Sequence, residues 1–320
     1  MSVISKPYFH DEKAAFAHLE GVLWPNGPVC PHCGTVGGAG RLEGVKDKKG
    51  RERLGLWKCY SKPCRKQFTV RVGTVFESAH IPLPKMLQAV FLMSSSKKGI
   101  SSHQLHRTLE ITYKSAWFLS HRIREAMKVG KLPPMGGAGL VIEADETVIG
   151  RSKLAPVGRR SPRYTWGRNI VLTLVERGGS ARSFKIDSAS IAGVRTIIKK
   201  NVSRDSDLMT DEARMYKSIG KRFASHNAVT HSKGEYVREG QSHIHSNTVE
   251  NYYSIFKRGM KGVYQHCKEK HLHRYLAEFD FRYSNRLVLG VDDIERSTRA
   301  LHGIVGKRLT YRAADRTPHL

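Results

Sequence analysis

The sequence has few acidic residues for its size and no long apolar run. Its 320 residues include 55 Lys and Arg but only 28 Asp and Glu, which gives a formal net charge of +27. A charge of this sign and size favours a polyanionic partner, most often nucleic acid, with an anionic membrane surface as the alternative. No apolar run reaches the roughly 18 residues needed to span a bilayer, and no basic amphipathic terminal anchor is present. We therefore expect a nucleic-acid partner and no membrane.

Cysteine is scarce as well, with five in the chain. The opening residues MSVISKPYFHDEKAAF contain no apolar signal core, so we expect a cytoplasmic protein in a reducing compartment. Four of the five cysteines follow the pattern C-x2-C, spacer, C-x4-C, which predicts a closed structural zinc site. The ligands would be Cys30, Cys33, Cys59 and Cys64. A redox pair or four unrelated buried cysteines are the alternatives.

The residues around these cysteines predict a zinc ribbon, and those after it predict a helix-turn-helix. Basic residues and short strand patterns lie between the two cysteine pairs, as in a ribbon that contacts DNA or protein. Helical patterns then cover residues 85–95, 101–109 and 112–127 with a tight central turn. The recognition helix would begin with Thr112, Tyr113 and Lys114. A structural bundle of three helices is the alternative.

Beyond a Gly- and Pro-rich linker at 129–139, the pattern changes to that of strands. Three strands are predicted first, followed by a helix, a strand, a short helix, a strand and further helices. This order predicts a mixed α/β sheet with the layout of the RNase H-like fold. A very basic segment at 151–167 separates the first two strands. It is expected to contact DNA through Arg159, Arg160 and Arg163, with disorder in the absence of DNA as an alternative that does not exclude such contacts.

One predicted helix, beginning near Ser246, divides into two faces. Ser246 is a suitable N-cap. The apolar stripe consists of Val249, Tyr252, Tyr253, Phe256 and Met260. The other face presents Asn247, Glu250, Ser254 and Lys257. An ordinary surface helix with a solvated polar face is the alternative.

Two acids on predicted strands indicate that the polar face of this helix completes a metal site. Asp145 lies on the first strand of the predicted sheet and Asp211 ends the fourth, and these strands are neighbours in the predicted topology. Close carboxylates repel each other unless a cation lies between them, and Mg²⁺ prefers such ligands. Two such ions about 4 Å apart activate a water molecule and stabilise the leaving oxygen of a phosphodiester. A salt bridge for Asp145 and an N-cap for Asp211 are the alternatives.

The third ligand is predicted to come from the amphipathic helix. Asn247 and Glu250 both lie in its first turns, and we favour Glu250 because a carboxylate binds a hard cation better than an amide does. Lys257 is placed to hold a phosphate, and Arg258 follows as a further nucleic-acid contact. Nearby histidines are candidates for metal or phosphate contact, with hydrogen-bonded loop positions as the alternative: His226, His231, His243 and His245.

Several blocks together resemble the bacterial insertion-sequence transposases that join a zinc ribbon to a DDE-type integrase core, the ISXO2-like family. The catalytic blocks are DET at 145–147, TDEARMY at 210–216 and HSNTVENYYSIFKRGMKGVY at 245–264. Further similarity is carried by CPHCG, KQFTVRVGTVFES and LAEFDFRYSNR, so the resemblance covers nearly the whole chain. The wider second cysteine pair and the basic 151–167 segment depart from the family pattern.

The resemblance implies DNA transposition with Mg²⁺ or Mn²⁺, in which the element end is nicked and its 3′-hydroxyl attacks target DNA. It implies that Asp145 and Asp211 are the first two catalytic residues, and that the third is an acid or an asparagine. We expect at least a dimer on DNA, associated with the bacterial nucleoid. The predicted domains are 1–83 with the ribbon, 84–130 with the helix-turn-helix, 137–312 with the catalytic core, and a tail at 313–320. A non-catalytic DNA-binding protein and a structure-selective nuclease are the alternatives.

Overall fold

The computed structural model describes residues 2–150, 169–186 and 190–310. They form two compact units. The first is built from the described residues of 2–96, 100–128 and 292–310, and the second from those of 97–99 and 129–291. The basic segment with Arg159, Arg160 and Arg163 and the predicted tail lie outside the described residues.

A small ribbon opens the first unit. Helix α1 (Glu12–Leu23) begins where the Asp11 carboxylate accepts a hydrogen bond from the Ala14 N–H. Three short antiparallel strands follow, in the order β1-β2-β3. Their bounds are β1 (Ala39–Arg41), β2 (Trp57–Cys59) and β3 (Gln67–Phe68). Cys30, Cys59 and Cys64 pack with Phe68 in a small core, so the sheet and most of the cysteine cluster share one core.

Four helices complete the first unit. Their bounds are α2 (Leu83–Ser95), α3 (Ser102–Leu109), α4 (Tyr113–Met127) and α9 (Asp293–His302). Ser101 and Thr112 cap α3 and α4, as their side chains accept hydrogen bonds from N–H groups in the first turns. Three residues separate α3 from α4, the tight turn that the sequence predicts.

Helix α9 belongs to the first unit, whereas the sequence prediction includes its residues in the domain 137–312. It packs on α1, α2 and α4 of the first unit. Its apolar residues Ala300 and Leu301 are buried, since an amphipathic helix needs a surface to cover its apolar stripe. The predicted boundaries near residues 83 and 130 stay predictions.

A five-stranded mixed sheet forms the second unit, in the order β6-β5-β4-β7-β8. The first three strands in sequence form an antiparallel meander, and the next two run parallel to β4. This arrangement confirms the predicted RNase H-like core. The strand bounds are β4 (Val141–Ile149), β5 (Asn169–Glu176), β6 (Ala181–Ile186), β7 (Asp207–Asp211) and β8 (Ser225–Val229).

Helices cover both faces of this sheet. One face holds Ile142 and Ala144 in a core with α5 (Ile191–Asn201) and α6 (Arg214–Gly220). The other holds Ile149 in a core with α7 (Asn247–Gly259) and α8 (Leu272–Ser284). Because strand side chains alternate between faces, odd-numbered β4 residues turn toward α7. The chemistry-bearing Asp145 is one of them.

A hairpin that the sequence did not predict lies between β8 and α7. It consists of β9 (Val237–Arg238) and β10 (Gln241–His245), which pair antiparallel. Buried Ile244 of β10 packs with Met209 and Val229, so the hairpin is anchored beside the end of β7. Within the described ranges, none of the helices has the length and apolar character to cross a membrane.

Candidate active site

The four predicted zinc ligands meet in the ribbon. The Sγ atoms of Cys30 and Cys64 lie 3.7 Å apart, and those of Cys33 and Cys59 also lie 3.7 Å apart. Tetrahedral zinc with Zn–S bonds of about 2.3 Å would place its sulfurs about 3.8 Å apart. All four ligand atoms lie within 4.8 Å of one another. The cluster therefore fits a closed structural zinc site that includes both residues of the wide second pair, Cys59 and Cys64.

The two predicted acids lie on neighbouring strands of the sheet. Strands β4 and β7 pair in parallel, with Glu143 opposite Met209. Asp145 and Asp211 each lie two residues beyond this last pair on their strands, and the charge of Asp211 acts on the Asp145 carboxyl. Adjacent strands lie about 4.8 Å apart, and level residues of parallel neighbours point to the same face. The face is the one that α7 covers, so both acids turn toward that helix.

Burial and neighbouring charges perturb both strand acids. Burial raises the pKa of Asp145 to about 7, and the negative charges of Asp211 and Glu250 add to the rise while the Lys257 ammonium opposes it. The pKa of Asp211 is also raised, chiefly by burial. The site thus concentrates negative charge that neighbouring cations only partly balance. Such a site favours a bound cation.

Glu250 reaches this site from α7. Its Oε1 lies 3.1 Å from Nε2 of His231 and 3.3 Å from the Ser246 hydroxyl. The carboxylate keeps 39% of its side-chain surface exposed, which leaves room for another ligand. Among the described residues, only the cysteine cluster brings three or more Cys, His, Asp or Glu ligand atoms within 4.8 Å. The ligand atoms of Asp145, Asp211 and Glu250 therefore do not form such a cluster, although the charges of Asp211 and Glu250 act on Asp145.

The aromatic stripe of α7 is buried as predicted. The Tyr253 hydroxyl donates to the backbone carbonyl of Asp145 at 2.5 Å and to that of Val171 at 3.2 Å. Nζ of Lys257 lies 5.8 Å from the centre of the Tyr253 ring. Tyr253 therefore connects α7 directly to the strand segment that carries Asp145.

The beginning of α7 differs from the prediction. Ser246 makes no capping hydrogen bond, because its hydroxyl contacts Glu250 and His231 instead. The helix is capped instead by Glu143 of strand β4, whose carboxylate accepts the Val249 N–H at 2.9 Å and the Thr248 hydroxyl at 2.8 Å. Asn247, the alternative third ligand, lies at the first helical position with its N–H 3.3 Å from Nδ1 of His245.

Sequence reasoning missed Glu143, Glu146 and Arg177. Glu146 points to the opposite face of β4 and accepts the Tyr216 hydroxyl at 2.6 Å. Burial raises the pKa of Glu146 to about 8, with the charges of Asp145 and Asp211 adding to the rise. A signal existed in the apolar run LVIEADETVIG, since an acid in a buried strand requires a partner. The sequence does not reveal which residue is that partner, because Tyr216 is 70 residues away and is brought close only by the tertiary fold.

The predicted nucleic-acid contacts lie in separate places. Thr112, Tyr113 and Lys114 are exposed at the start of α4 in the first unit, where the Tyr113 ring stacks on His103 with centroids 4.3 Å apart. Arg258 is exposed on α7, and one of its Nη atoms donates to the Ser254 hydroxyl. These positions are accessible to a partner.

Two family models match the sequence. The ISXO2-like transposase domain matches residues 136–284, and the transposase zinc-ribbon domain matches residues 10–67. No curated protein has a sequence that matches this chain. Among solved structures, the Mos1 strand transfer complex is similar at a TM-score of 0.28 and 14% identity, over 68% of this chain and 72% of that one.

A Mos1 transposase paired-end complex with left transposon end gives the same TM-score and identity, over 68% of this chain and 73% of that one. A similarity at this TM-score is too low to support an inference about this chain. The two family models together match about two thirds of the chain, in the order of the ribbon and the mixed sheet. The chain belongs to the family of transposases that join a zinc ribbon to an ISXO2-like DDE domain.

Proposed function

We propose that this transposase cleaves DNA at element ends and transfers the freed strand to target DNA, using Mg²⁺ or Mn²⁺ held by Asp145, Asp211 and Glu250. The observation that supports the proposal is the raised pKa of Asp145, about 7, which is caused by burial and by the charges of Asp211 on the neighbouring strand β7 and Glu250 on α7. Neighbouring carboxylates whose negative charge is not balanced by protein cations are the ligands that a hard cation such as Mg²⁺ prefers.

The three proposed ligands are carboxylates, the type of oxygen ligand that Mg²⁺ prefers. Two acids come from neighbouring parallel strands, and a third comes from the helix above them. Glu250 is preferred to Asn247 because its charge acts on Asp145 and because carboxylate oxygen binds Mg²⁺ better than amide oxygen does. When bound, Mg²⁺ would polarise the phosphodiester and lower the pKa of an attacking water molecule.

The chain's own residues orient the substrate. Lys257 lies on the same side of α7 as Glu250 and acts electrostatically on Asp145, so its ammonium is placed to bind a phosphate oxygen next to the acids. His231 holds Glu250 through its Nε2. Arg258 extends the positive surface along α7. These residues bind and align DNA while the acids form the reactive centre.

The first unit supplies DNA binding in this proposal. The zinc ribbon within 1–83 and the helix-turn-helix within 84–130 would recognise the element end, with Thr112, Tyr113 and Lys114 at the start of the recognition helix. The chain's charge of +27 supports a nucleic-acid partner. We further propose that it acts as a dimer or larger synaptic assembly on DNA in the bacterial cytoplasm, associated with the nucleoid.

The test is a cleavage assay with Mg²⁺ and a labelled duplex that carries the ends of the DNA segment encoding the chain. The wild-type protein should nick the duplex, and Asp145→Ala should bind it equally well but cleave it at least 100-fold more slowly. Asp205→Ala is the matched control, because Asp205 is an exposed acid of the same unit just before β7.

Two results would contradict the proposal. Cleavage by Asp145→Ala at the wild-type rate would remove Asp145 from the reactive centre. Binding by the wild-type protein without any nicking would identify a non-catalytic DNA-binding protein. A further assay with a pre-cleaved 3′ end separates a transposase from a nuclease, since only a transposase joins that end to target DNA.

A further inference from the structure

The fully buried Glu143 lies two residues before Asp145 on the same face of β4. We propose that Glu143 is a positioning residue of the active site: its carboxylate ties the first turn of α7 to β4 and thereby sets the position of Glu250 relative to Asp145. This inference rests on the proposed metal site and names a residue that acts on it without contacting the ion.

One side of the Glu143 carboxylate holds α7. Its Oε2 accepts the Val249 N–H at 2.9 Å, and its Oε1 accepts the Thr248 hydroxyl at 2.8 Å. The first N–H groups of a helix have no partner within the helix and attract negative charge. Because Ser246 does not supply a cap, Glu143 takes that role from a strand, so the helix start and the strand are joined by a charged hydrogen bond.

The Glu143 carboxylate also binds Arg177, the residue that follows β5. Nε of Arg177 donates to Oε1 of Glu143 at 2.6 Å. The same guanidinium donates to the carbonyls of His243 at 2.6 Å and His245 at 2.8 Å, at the end of β10. Arg177 thus connects Glu143 to the segment that leads directly into α7. Ser246 therefore lies between two segments that are hydrogen-bonded to this pair: His245 to Arg177, and Val249 to Glu143.

These contacts set geometry at the acids. Glu143 and Asp145 share one strand, and Val249 and Glu250 are consecutive on α7. A rigid connection between Glu143 and Val249 therefore fixes the spacing between Asp145 and Glu250. Residues that orient metal ligands from outside the ligand set typically change metal affinity by about 10- to 100-fold when mutated. A displacement of about 1 Å at a reactive centre can cost about 100-fold in rate.

The experiment measures Mn²⁺ binding to the full chain without DNA, by electron paramagnetic resonance, which gives the number of sites and their affinity separately. Thr248→Val removes one hydroxyl contact to Glu143 at nearly constant volume, and Thr248→Ser keeps it. We expect Thr248→Val to weaken Mn²⁺ binding about 3- to 10-fold at unchanged stoichiometry, and Thr248→Ser to bind as the wild type does. Glu143→Gln should weaken it about 10- to 100-fold.

Thr196→Val is the control, because it makes the same chemical change at an exposed position of α5 in the same unit. A purely structural role for Glu143 would lower the number of active sites and the melting temperature without changing affinity. If Glu143→Gln does not fold, the Thr248 pair decides the matter alone.

Two outcomes separate the inference from the function on which it rests. Wild-type Mn²⁺ affinity in Thr248→Val and Glu143→Gln, or equal weakening in Thr248→Val and Thr248→Ser, would overturn the positioning role while Asp145→Ala still loses the ion. Wild-type affinity in Asp145→Ala would instead overturn the metal site, and the positioning role with it.

Discussion

Replacing Asp145 by asparagine should stabilise the metal-free protein at alkaline pH. Burial and the charges of Asp211 and Glu250 raise the pKa of Asp145 from 3.8 to about 7. Since one pKa unit corresponds to about 1.4 kcal/mol, ionised Asp145 costs the folded state up to about 4 kcal/mol at pH 8. Asparagine keeps the size and an oxygen that can accept the Glu146 N–H, at present 2.7 Å from Oδ1, but removes the charge.

The pH dependence has a definite sign. The folded pKa lies above the unfolded one, so stability from this group is complete below about pH 4 and is lost as the pH rises through about 7. The advantage of Asp145→Asn should therefore be small near pH 4 and largest above pH 7. Because part of the Asp145 side chain is accessible, we expect a gain of about 2 to 4 kcal/mol at pH 8.

The assay is thermal unfolding without added divalent ions and without a chelator, which would strip the zinc of the ribbon, at several pH values between about 4 and 8.5. At about 2 to 4 °C per kcal/mol for a unit of this size, the melting temperature of the second unit should rise by about 5 to 10 °C at pH 8. Asp205→Asn, an exposed acid in the same unit, should change little. A melting temperature of Asp145→Asn that is equal to or below the wild-type value at pH 8 would refute the reasoning.

Three further predictions concern the zinc, Tyr253 and the third ligand. The purified protein should contain one zinc per chain, and Cys59→Ser should lose it and unfold the ribbon; metal analysis with circular dichroism tests this, and a zinc-free folded ribbon would contradict it. Tyr253→Phe removes the hydroxyl contact with the Asp145 carbonyl and should cost about 1 to 2 kcal/mol in urea unfolding; no loss would contradict a buried hydrogen bond. Glu250→Ala should abolish cleavage while Asn247→Ala retains much of it; the reverse order would assign the ligand to Asn247.

Periodicity predicted the elements that local sequence controls. The alternation and order of the strands were sufficient for the mixed sheet, because each strand carries its own apolar pattern. The same holds for the buried stripe of α7, where Tyr253 and Phe256 recur at helical spacing. The cysteine cluster followed from spacing alone, since zinc requires thiolates within a few ångströms of one another.

Features set by tertiary contacts could not be predicted in this way. Ser246 has the residue type of an N-cap, yet its hydroxyl contacts His231 and Glu250, and the strand residue Glu143 caps the helix from more than 100 positions away. The β9–β10 hairpin is too short and polar to give a strand pattern. Helix α9 has a clear apolar face, but the pattern does not say which surface covers it.

The location of a bound ion tests the central claim most directly. A crystal structure of the protein soaked with Mn²⁺ and measured at the manganese absorption edge identifies the side chains that touch the metal. We predict Mn²⁺ bound by Asp145, Asp211 and Glu250, with Glu143 outside the ligand set and still bonded to Val249. Manganese bound elsewhere, or no manganese at these acids at millimolar concentration, would contradict the proposed active site.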